Sequence, residues 1–324
     1  MITPSATDGA RRSFLAGLIG QGVKPSLTPE MHEREAIRHG IRYVYKTIDV
    51  ASDVGQEQLR DLLKAAVSLG FDGLNVTHPF KQAIVPLVDE LNEVVAALGA
   101  LNTIIIRDGR TSGHNTDVTG FEQAFREGLP GASLAKVVLL GAGGAGTAVA
   151  HALTTLGVSQ LVVVDPDISR VERLAKSVAR RADVSELVAI TPSGVADALR
   201  DADGLVNATP FGMAAHQGTA LDVALLRRSL WVADIVYRPL VTELLGAARD
   251  LGCRTLSGAG MAVHQAADAF ELFTGRPADR AALTKDLNEM AAAEIHHAED
   301  REPTQQTTAY RQGPPRDTPE GRNQ

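Results

Sequence analysis

Short apolar segments alternate along the chain with longer stretches in which apolar residues recur every three or four positions. The short segments are rich in valine, leucine and isoleucine, which is typical of buried β-strands. Strands that alternate with helices predict an α/β fold in which the strands are largely parallel. The predicted strands are residues 14–19, 43–49, 73–76, 102–107, 136–140, 160–165, 204–207 and 230–234. The predicted helices include residues 56–69, 121–127, 147–156, 169–181 and 260–273.

The two ends of the chain lack this alternation. Residues 1–12 are polar and are expected to be frayed, and residues 296–324, rich in Pro, Gln, Arg and Thr, are expected to be disordered. Arg11 and Arg12 stand before an apolar stretch, as in a twin-arginine export signal. Because Lys24 interrupts that stretch early, a short basic lead into the first strand is the favoured interpretation.

Composition narrows the class of protein. The 324 residues suffice for two ordinary domains, and 44% apolar with 22% charged residues is a globular mixture. A net charge of −7, from 32 basic and 39 acidic residues, argues against nucleic-acid binding. The single cysteine, Cys253, cannot form an internal disulfide, which fits a reducing compartment. Because the apolar runs are far shorter than the roughly 20 residues that cross a bilayer, we expect a cytoplasmic protein without a membrane partner.

A glycine-rich loop directly follows the apolar strand 136–140. Gly141, Gly143 and Gly146 fit the G-x-G-x-x-G pattern, and a helix-compatible run comes next. In this setting the glycines allow a tight turn and close backbone approach to a pyrophosphate, which the helix N-terminus attracts. Asp165 ends the next strand, where an acidic residue can bond the ribose of a dinucleotide. A glycine-rich turn without a ligand is the alternative interpretation.

Four polar clusters precede the glycine loop, at residues 26–32, 75–81, 100–103 and 115–117. Each of them alone is typical of a helix cap or a turn. The nine histidines offer no convincing metal site, and no Gly-x-Ser-x-Gly elbow is present. The sequence therefore predicts neither a metal centre nor a serine hydrolase.

Taken together, the clusters resemble the shikimate dehydrogenase family over residues 15–273. The resemblance rests on seven motifs that occur in the family's order. They are Ser26-x-Thr28-Pro, Asn75-x-Thr77-x-Pro-x-Lys81, Gly99-Ala-x-Asn102-Thr, Asn115-Thr-Asp117-x-x-Gly120, Asn207-Ala-Thr-Pro210-x-Gly-Met213, Tyr237-x-Pro239, and Gly258-x-x-Met261 followed by Gln265.

The resemblance implies two α/β domains and reversible hydride transfer at one ring hydroxyl of a polyhydroxylated cyclohexane acid. Residues 13–119 would bind the substrate, and residues 120–258 would form a Rossmann-type domain for the nicotinamide cofactor. Residues 259–295 would complete the first domain, with the C-terminal helix packing back on it.

The resemblance also implies roles for individual residues. Ser26 and Thr28 would bind the substrate carboxylate. The ring hydroxyls would be bound by Thr77, Asn102, Asp117 and Gln265, with Asn75 and Tyr237 bordering the pocket. The dinucleotide would be lined by Gly144, Ala145, Asp165, Arg170, Pro210 and Ile235, with Gly258 and Met261 close to the nicotinamide.

Alcohol oxidation requires a group that takes a proton from oxygen while hydride leaves carbon. A lysine in a partly desolvated pocket gives up its own proton more readily and suits this task. Lys81 is the candidate, with Asp117 as the residue that orients it, and the resemblance assigns both as the catalytic dyad. Whether Lys81 transfers the proton or only stabilises the alkoxide stays open.

The residues around Asp165 favour NAD over NADP. A carboxylate there bonds both ribose hydroxyls and repels a 2′-phosphate. NADP-preferring family members tend to carry Asn-Arg followed by Ser or Thr, whereas this chain has Asp165 and Asp167 around a proline. Arg170 could weaken the preference by pairing with Asp165 or stacking near the adenine.

Thr28, in place of the family's commoner serine, together with the acidic pair resembles the NAD-dependent quinate/shikimate dehydrogenase branch. The expected substrates are quinate, shikimate or their 3-dehydro forms, and aminoshikimate-type activity stays open. The alternatives are an NADP-linked biosynthetic shikimate dehydrogenase and a catalytically silent metabolite sensor. The polar clusters disfavour a folate-type dehydrogenase. The expected assembly is a monomer or a homodimer.

Overall fold

Two six-stranded sheets organise the residues that the computed structural model describes, 13–179 and 186–299. Every predicted strand is present, with ends that shift by at most one residue, and four further strands join them. The strands are β1 Ser13–Gly20, β2 Arg42–Asp49, β3 Gly73–Val76, β4 Glu90–Leu91, β5 Thr103–Arg107, β6 Arg110–His114, β7 Lys136–Leu140, β8 Gln160–Val164, β9 Glu186–Ile190, β10 Gly204–Asn207, β11 Trp231–Asp234 and β12 Arg254–Ser257. The helices are α1 Thr28–Arg38, α2 Gln56–Ser68, α3 Glu93–Leu98, α4 Asp117–Gly128, α5 Gly144–Thr155, α6 Ile168–Val178, α7 Val195–Leu199, α8 Glu243–Asp250, α9 Gly258–Thr274 and α10 Arg280–Glu299.

The first sheet has the strand order β2-β1-β3-β5-β6-β4 and is mixed. β1 is parallel to both of its neighbours, whereas β5 is antiparallel to β3 and to β6. The expectation of largely parallel strands is confirmed for the two sheets together, and β5 is the exception. The β5–β6 hairpin closes at Asp108 and Gly109, which both have positive φ, as a two-residue turn between twisted strands requires.

The second sheet has the order β12-β11-β10-β7-β8-β9, and all of its strands are parallel. One apolar cluster, which includes residues of α4, α5 and α6, covers one face, and a second, which includes residues of α8, covers the other. In a doubly wound sheet a crevice opens where the chain reverses its winding direction, here between β7 and β10. This crevice lies at the carboxyl ends of the strands.

The helices after the second sheet return to the first one. α9 packs against β1 and β5, and α10 packs against α1 and α9. Leu283, Leu287 and Met290 recur on one face of α10 and are buried in a cluster that contains Met31 of α1. α10 continues to Glu299, so the prediction of disorder from residue 296 is wrong for 296–299.

Several predicted helix ends also differ from the structure. α4 begins at Asp117 and α5 at Gly144, four and three residues before the predicted positions. Polar or glycine-rich first turns carry no apolar periodicity, which explains both differences. The predictions for residues 1–12, 180–181 and 300–324 lie outside the described residues. Within residues 13–179 and 186–299, no helix is both long and apolar enough to cross a membrane.

Candidate active site

Lys81 and Asp117 form an ion pair in the first half of the chain. Lys81 follows β3, and its Nζ lies 2.5 Å from Oδ2 of Asp117, the first residue of α4. Asp117 is 1% exposed and the Lys81 side chain 14% exposed. The structure thus brings the two predicted catalytic residues into direct contact in a mostly dry setting, where an ion pair is strong.

Both carboxylate oxygens of Asp117 are held. Asn102 donates from Nδ2 to Oδ1 of Asp117 at 2.9 Å, while Lys81 occupies Oδ2. The Asp117 backbone N–H donates to Oδ1 of Asn115, and the backbone N–H of Thr116 donates to Oδ1 of Asn102. The Asn115-Thr-Asp117 motif therefore leads into α4, and its backbone hydrogen bonds help to fix the Asp117 carboxylate.

Asn75 is buried behind Asn102, and its amide is engaged by the protein. Nδ2 donates to Oγ1 of Thr103 and to the carbonyl of Asn102, and Oδ1 accepts from the Tyr45 hydroxyl at 2.7 Å. The sequence places Asn75 at the pocket border; the structure makes it a support for Asn102. Tyr45 and Thr103 were missed as site residues because each is typical of an ordinary strand interior.

Thr77 directly follows β3, and Ser26 and Thr28 lie in the segment that leads from β1 into α1. Thr28 is buried at the start of α1, and its backbone N–H donates to Oγ of Ser26 at 3.3 Å. Thr77 donates from its backbone to Ile19 of β1. A Cβ atom at Gly20 would lie 2.3 Å from Cγ2 of Thr77, so only glycine allows this approach.

α9 brings the C-terminal candidates to the same place. A Cβ atom at Gly120 of α4 would lie 3.0 Å from the Met261 carbonyl oxygen and 3.1 Å from the Gln265 nitrogen, so α9 crosses α4 closely, one turn after Asp117. A Cβ atom at Gly258 would lie 2.3 Å from the carbonyl oxygen of Ile235. These predicted residues therefore meet beside α4.

Tyr237 and Arg238 connect the second half to the loop that carries Ser26. The half-buried Tyr237 packs against the cluster that contains Leu27 and residues of α9. The Arg238 guanidinium donates to the carbonyl of Pro25 and forms an ion pair with Glu294 of α10. The loop that carries Ser26 is thus held from the second half.

The glycine loop has the shape that a dinucleotide pyrophosphate needs. Gly141 has φ of +95°, and a Cβ atom at Gly146 would lie 2.0 Å from the Gly141 carbonyl oxygen. A Cβ atom at Gly143 would meet nothing within 4 Å, which leaves an open cradle at the N-terminus of α5. Because no side chain caps this terminus, its N–H groups suit a phosphate. Ala145 lies in the same first turn.

Lys81 lies directly against this loop. A Cβ atom at Gly144 would be 3.4 Å from Cβ and 3.6 Å from Cδ of Lys81. Burial, and then the charges of Lys81, His216 and Arg170, lower the pKa of His78. Basic groups from both halves therefore converge on one cleft, which suits an anionic ligand.

Asp165 is buried just beyond β8, and both of its carboxylate oxygens accept backbone hydrogen bonds. Ala142 of the glycine loop donates to Oδ2, and Asp167 donates to Oδ1, each at 2.9 Å. Arg170 is exposed and pairs with Asp167 rather than with Asp165. Pro210 is exposed on the loop after β10.

A second carboxylate, Asp234 at the end of β11, was not anticipated. It accepts hydrogen bonds from Asn207, Val236 and Thr242, and burial raises the pKa of its carboxyl. It thereby ties the loop after β10 to the loop that carries Ile235. Its position after an apolar strand, like that of Asp165, was the available signal. No group of three metal-ligating side chains occurs among the described residues.

Sequence comparison matches the chain to three domain families. Residues 18–104 match the shikimate dehydrogenase substrate binding domain, residues 124–228 match shikimate / quinate 5-dehydrogenase, and residues 258–285 match the shikimate 5′-dehydrogenase C-terminal domain. A shikimate dehydrogenase (NADP(+)) of Streptomyces avermitilis is 53% identical over 88% of this chain and 99% of its own length. The chain belongs to the shikimate dehydrogenase family. The predictions of the family, of its two-domain α/β fold and of an oxidoreductase are thus confirmed.

Members of the shikimate dehydrogenase family that resemble this chain differ in their cofactor. A quinate/shikimate dehydrogenase (NAD(+)) of Corynebacterium glutamicum is 52% identical over 82% of this chain and 95% of its own length. A solved quinate dehydrogenase from that organism, in complex with NAD, has a TM-score of 0.80 and 50% identity, and the match covers 86% of this chain and 99% of that one. A Listeria monocytogenes shikimate 5-dehydrogenase in complex with shikimate and NAD has a TM-score of 0.75 and 30% identity, over 88% of this chain and 99% of that one.

Proposed function

We propose that this member of the shikimate dehydrogenase family is an NAD-dependent quinate/shikimate dehydrogenase. It would interconvert quinate or shikimate and the corresponding 3-dehydro acid. The observation that carries the proposal is the Lys81–Asp117 pair lying against Gly144 of the glycine loop. A silent sensor has no need for an acid/base pair beside a dinucleotide loop, so this contact favours an enzyme.

The residues of the first half would hold the substrate. We assign the carboxylate to Ser26 and Thr28, whose loop ends at the start of α1. The ring hydroxyls go to Thr77, Asn102, Asp117 and Gln265, and Tyr237 borders them. In this assignment residues 13–119 with 259–295 form the substrate domain, and residues 120–258 form the cofactor domain.

The Lys81–Asp117 dyad would act on the proton of the reacting ring hydroxyl. As an ammonium, Lys81 would stabilise the developing alkoxide, and as the free amine it would take the hydroxyl proton. Asp117 would fix the position of Nζ in either role. The cradle at Gly143 fits a dinucleotide, whose nicotinamide supplies the hydride acceptor when bound. Gly144, Ala145, Pro210 and Ile235 would line the rest of the cofactor, with Gly258 and Met261 near the nicotinamide.

Asp165 supports NAD as the cofactor. Its carboxylate lies at the end of the second strand of the dinucleotide fold, where its charge opposes a 2′-phosphate. Arg170 does not neutralise it, because the guanidinium pairs with Asp167. The second candidate is an NADP-linked shikimate dehydrogenase, which is favoured by the similarity to the Streptomyces avermitilis enzyme.

The test is kcat/KM for quinate and for shikimate, each with NAD and with NADP. We expect kcat/KM to be higher with NAD than with NADP. Asp165→Asn should lower the ratio of kcat/KM with NAD to kcat/KM with NADP by about tenfold or more, because a like-charge contact near 4 Å is worth about 1–4 kcal/mol. Adding Pro166→Arg should narrow it further, because a guanidinium binds phosphate in a bidentate manner. Glu172→Gln, at an exposed acid of α6 outside the predicted cofactor site, is the matched control and should leave this ratio nearly unchanged.

Two results would redirect the proposal. A wild-type preference for NADP would make the NADP-linked shikimate dehydrogenase the better assignment. Absence of turnover with either acid and either cofactor, in a protein that still binds dinucleotide by calorimetry, would support a sensor instead.

A further inference from the structure

A chain of hydrogen bonds with one consistent direction runs from Tyr45 to the Asp117 carboxylate. The Tyr45 hydroxyl donates to Oδ1 of Asn75 at 2.7 Å, and Nδ2 of Asn75 donates to Oγ1 of Thr103 at 3.0 Å. Thr103 donates to Oδ1 of Asn102 at 3.0 Å, and Nδ2 of Asn102 donates to Oδ1 of Asp117 at 2.9 Å. Each donor thus faces an acceptor, and the last acceptor is half of the dyad.

The strand register explains how Tyr45 reaches this chain from β2. Ala16 of β1 lies opposite Tyr45, and Leu18 of β1 lies opposite Asn75 of β3. All four side chains therefore share one face of the sheet, because side chains two residues apart on a strand point the same way. The small Ala16 leaves room for the ring across the middle strand.

The Tyr45 hydroxyl is buried and stays protonated, so it acts as a hydrogen-bond donor. The residue is buried against Ala16, Leu18 and the His32 ring, whose centroid lies 4.8 Å away. Burial raises the pKa of the Tyr45 hydroxyl well above its ordinary value, so the group stays protonated at any assay pH. Without it, Oδ1 of Asn75 would lose its donor in a buried site, and an unsatisfied buried acceptor forces rearrangement.

We infer that Tyr45 is a positioning residue for the dyad, acting through Asn75, Thr103 and Asn102. Together with the Asn102 carbonyl, which accepts from Nδ2 of Asn75, the Tyr45 hydroxyl fixes which end of the Asn75 amide faces Thr103. It thereby helps to keep the Thr103 hydroxyl directed at Oδ1 of Asn102. The backbone N–H of Thr116 also holds Oδ1 of Asn102 at 2.8 Å. Loss of the Tyr45 hydroxyl therefore loosens the dyad and does not abolish it. The inference rests on the roles proposed for Lys81 and Asp117.

The test compares Tyr45→Phe with Tyr43→Phe. Both variants remove one tyrosine hydroxyl from β2, and Tyr45 is buried whereas Tyr43 is half-buried. The Tyr43 hydroxyl meets Nδ1 of His32 and not the chain of hydrogen bonds. We expect Tyr45→Phe to lower kcat by about tenfold, as the loss of one buried hydrogen bond permits, with the dinucleotide KM unchanged. Tyr43→Phe should keep kcat, although both variants lower the melting temperature.

A double-mutant cycle separates positioning from general weakening of the fold. In an Asn75→Ala background, where the chain is already broken, Tyr45→Phe should cause no further loss of kcat. Thr103→Val, which removes one link at nearly constant volume, should lower kcat as Tyr45→Phe does. Equal kcat for Tyr45→Phe and Tyr43→Phe, or a full additional loss in the Asn75→Ala background, would overturn the inference.

The same experiments separate this inference from the proposed function. If Asp117→Asn leaves turnover intact, the proposed dyad is wrong. If Asp117→Asn removes turnover while Tyr45→Phe behaves like Tyr43→Phe, the dyad stands and only the positioning role of Tyr45 fails.

Discussion

Replacing Lys81 by methionine removes the ammonium beside Asp117 and keeps most of the side-chain volume. The structure places this ammonium 2.5 Å from a carboxylate that is 1% exposed, against the glycine loop. Loss of an acid/base group should lower kcat by about 10²–10⁴-fold, which corresponds to roughly 3–5 kcal/mol of activation free energy. Substrate KM should change much less, because the other predicted binding residues remain.

Lys81→Met should also lower the free energy of unfolding. Removing one partner of a buried ion pair costs about 3–5 kcal/mol when the remaining charge is left alone. Asn102 still donates to Oδ1 of Asp117, so we expect the lower end of this range. Adding Asp117→Asn removes the stranded charge, and the double variant should recover most of the stability and none of the activity.

The assay combines steady-state kinetics with urea unfolding of the same preparations. Lys64→Met, at an exposed lysine of α2, is the matched control and should leave kcat and stability nearly unchanged. The reasoning is refuted if Lys81→Met retains kcat within a few-fold of wild type. It is refuted equally if the double variant is no more stable than Lys81→Met, because Asp117 would then not be a buried charge in need of a partner.

Three further predictions concern other parts of the molecule. Gly146→Ala, whose Cβ would lie 2.0 Å from the Gly141 carbonyl oxygen, should lower both the melting temperature and the dinucleotide affinity. Gly143→Ala, whose Cβ would meet no atom within 4 Å, should lower the dinucleotide affinity alone. Equal melting temperatures for the two variants would contradict this. Burial lowers the pKa of His32 to about 3 from an ordinary 6.5, so below pH 6.5 only the unfolded chain takes up this proton. Below pH 6.5 the free energy of unfolding should therefore decrease as the pH is lowered, with a slope that approaches about 1.4 kcal/mol per unit more than in His32→Phe. Urea unfolding at pH 7.5, 6 and 5 would show this. Asp234→Ala leaves three donors without their acceptor and should cost about 2–5 kcal/mol of unfolding free energy; a loss within 0.5 kcal/mol, the range typical of surface sites, would contradict the role given to this carboxylate.

The positions of most strands could be predicted from the sequence because their burial is local information. Valine- and leucine-rich runs such as β7 and β8 are buried on both faces and read as continuous apolar segments. β6 carries no such signal, since only the small Thr111 and Gly113 point inward. The adjacent Asp108-Gly109 pair was nevertheless a turn signal that indicated a hairpin.

The site could be predicted where a motif follows a strand, and not where a partner lies inside one. Asp165 directly follows β8, and Lys81 lies a few residues after β3. Each residue therefore lies at the carboxyl end of a strand, at the edge of its own sheet where ligands bind in α/β folds. Tyr45 lies in the interior of the edge strand β2, where the sequence pattern predicts only a core residue. Its bond to Asn75 depends on the register of three strands separated by many residues, which no local pattern contains.

Helix α4 sets the distance between Asp117 of the dyad and the glycine loop. α4 begins with Asp117, where an anion is favoured by the helix dipole, and its body belongs to the core of the second half, with Phe125 packed edge-on against Trp231 of β11 at 5.0 Å. The dyad is thereby attached to the same sheet that carries the glycine loop. A substitution that shifts α4 on this sheet must therefore move Asp117 relative to the dinucleotide loop.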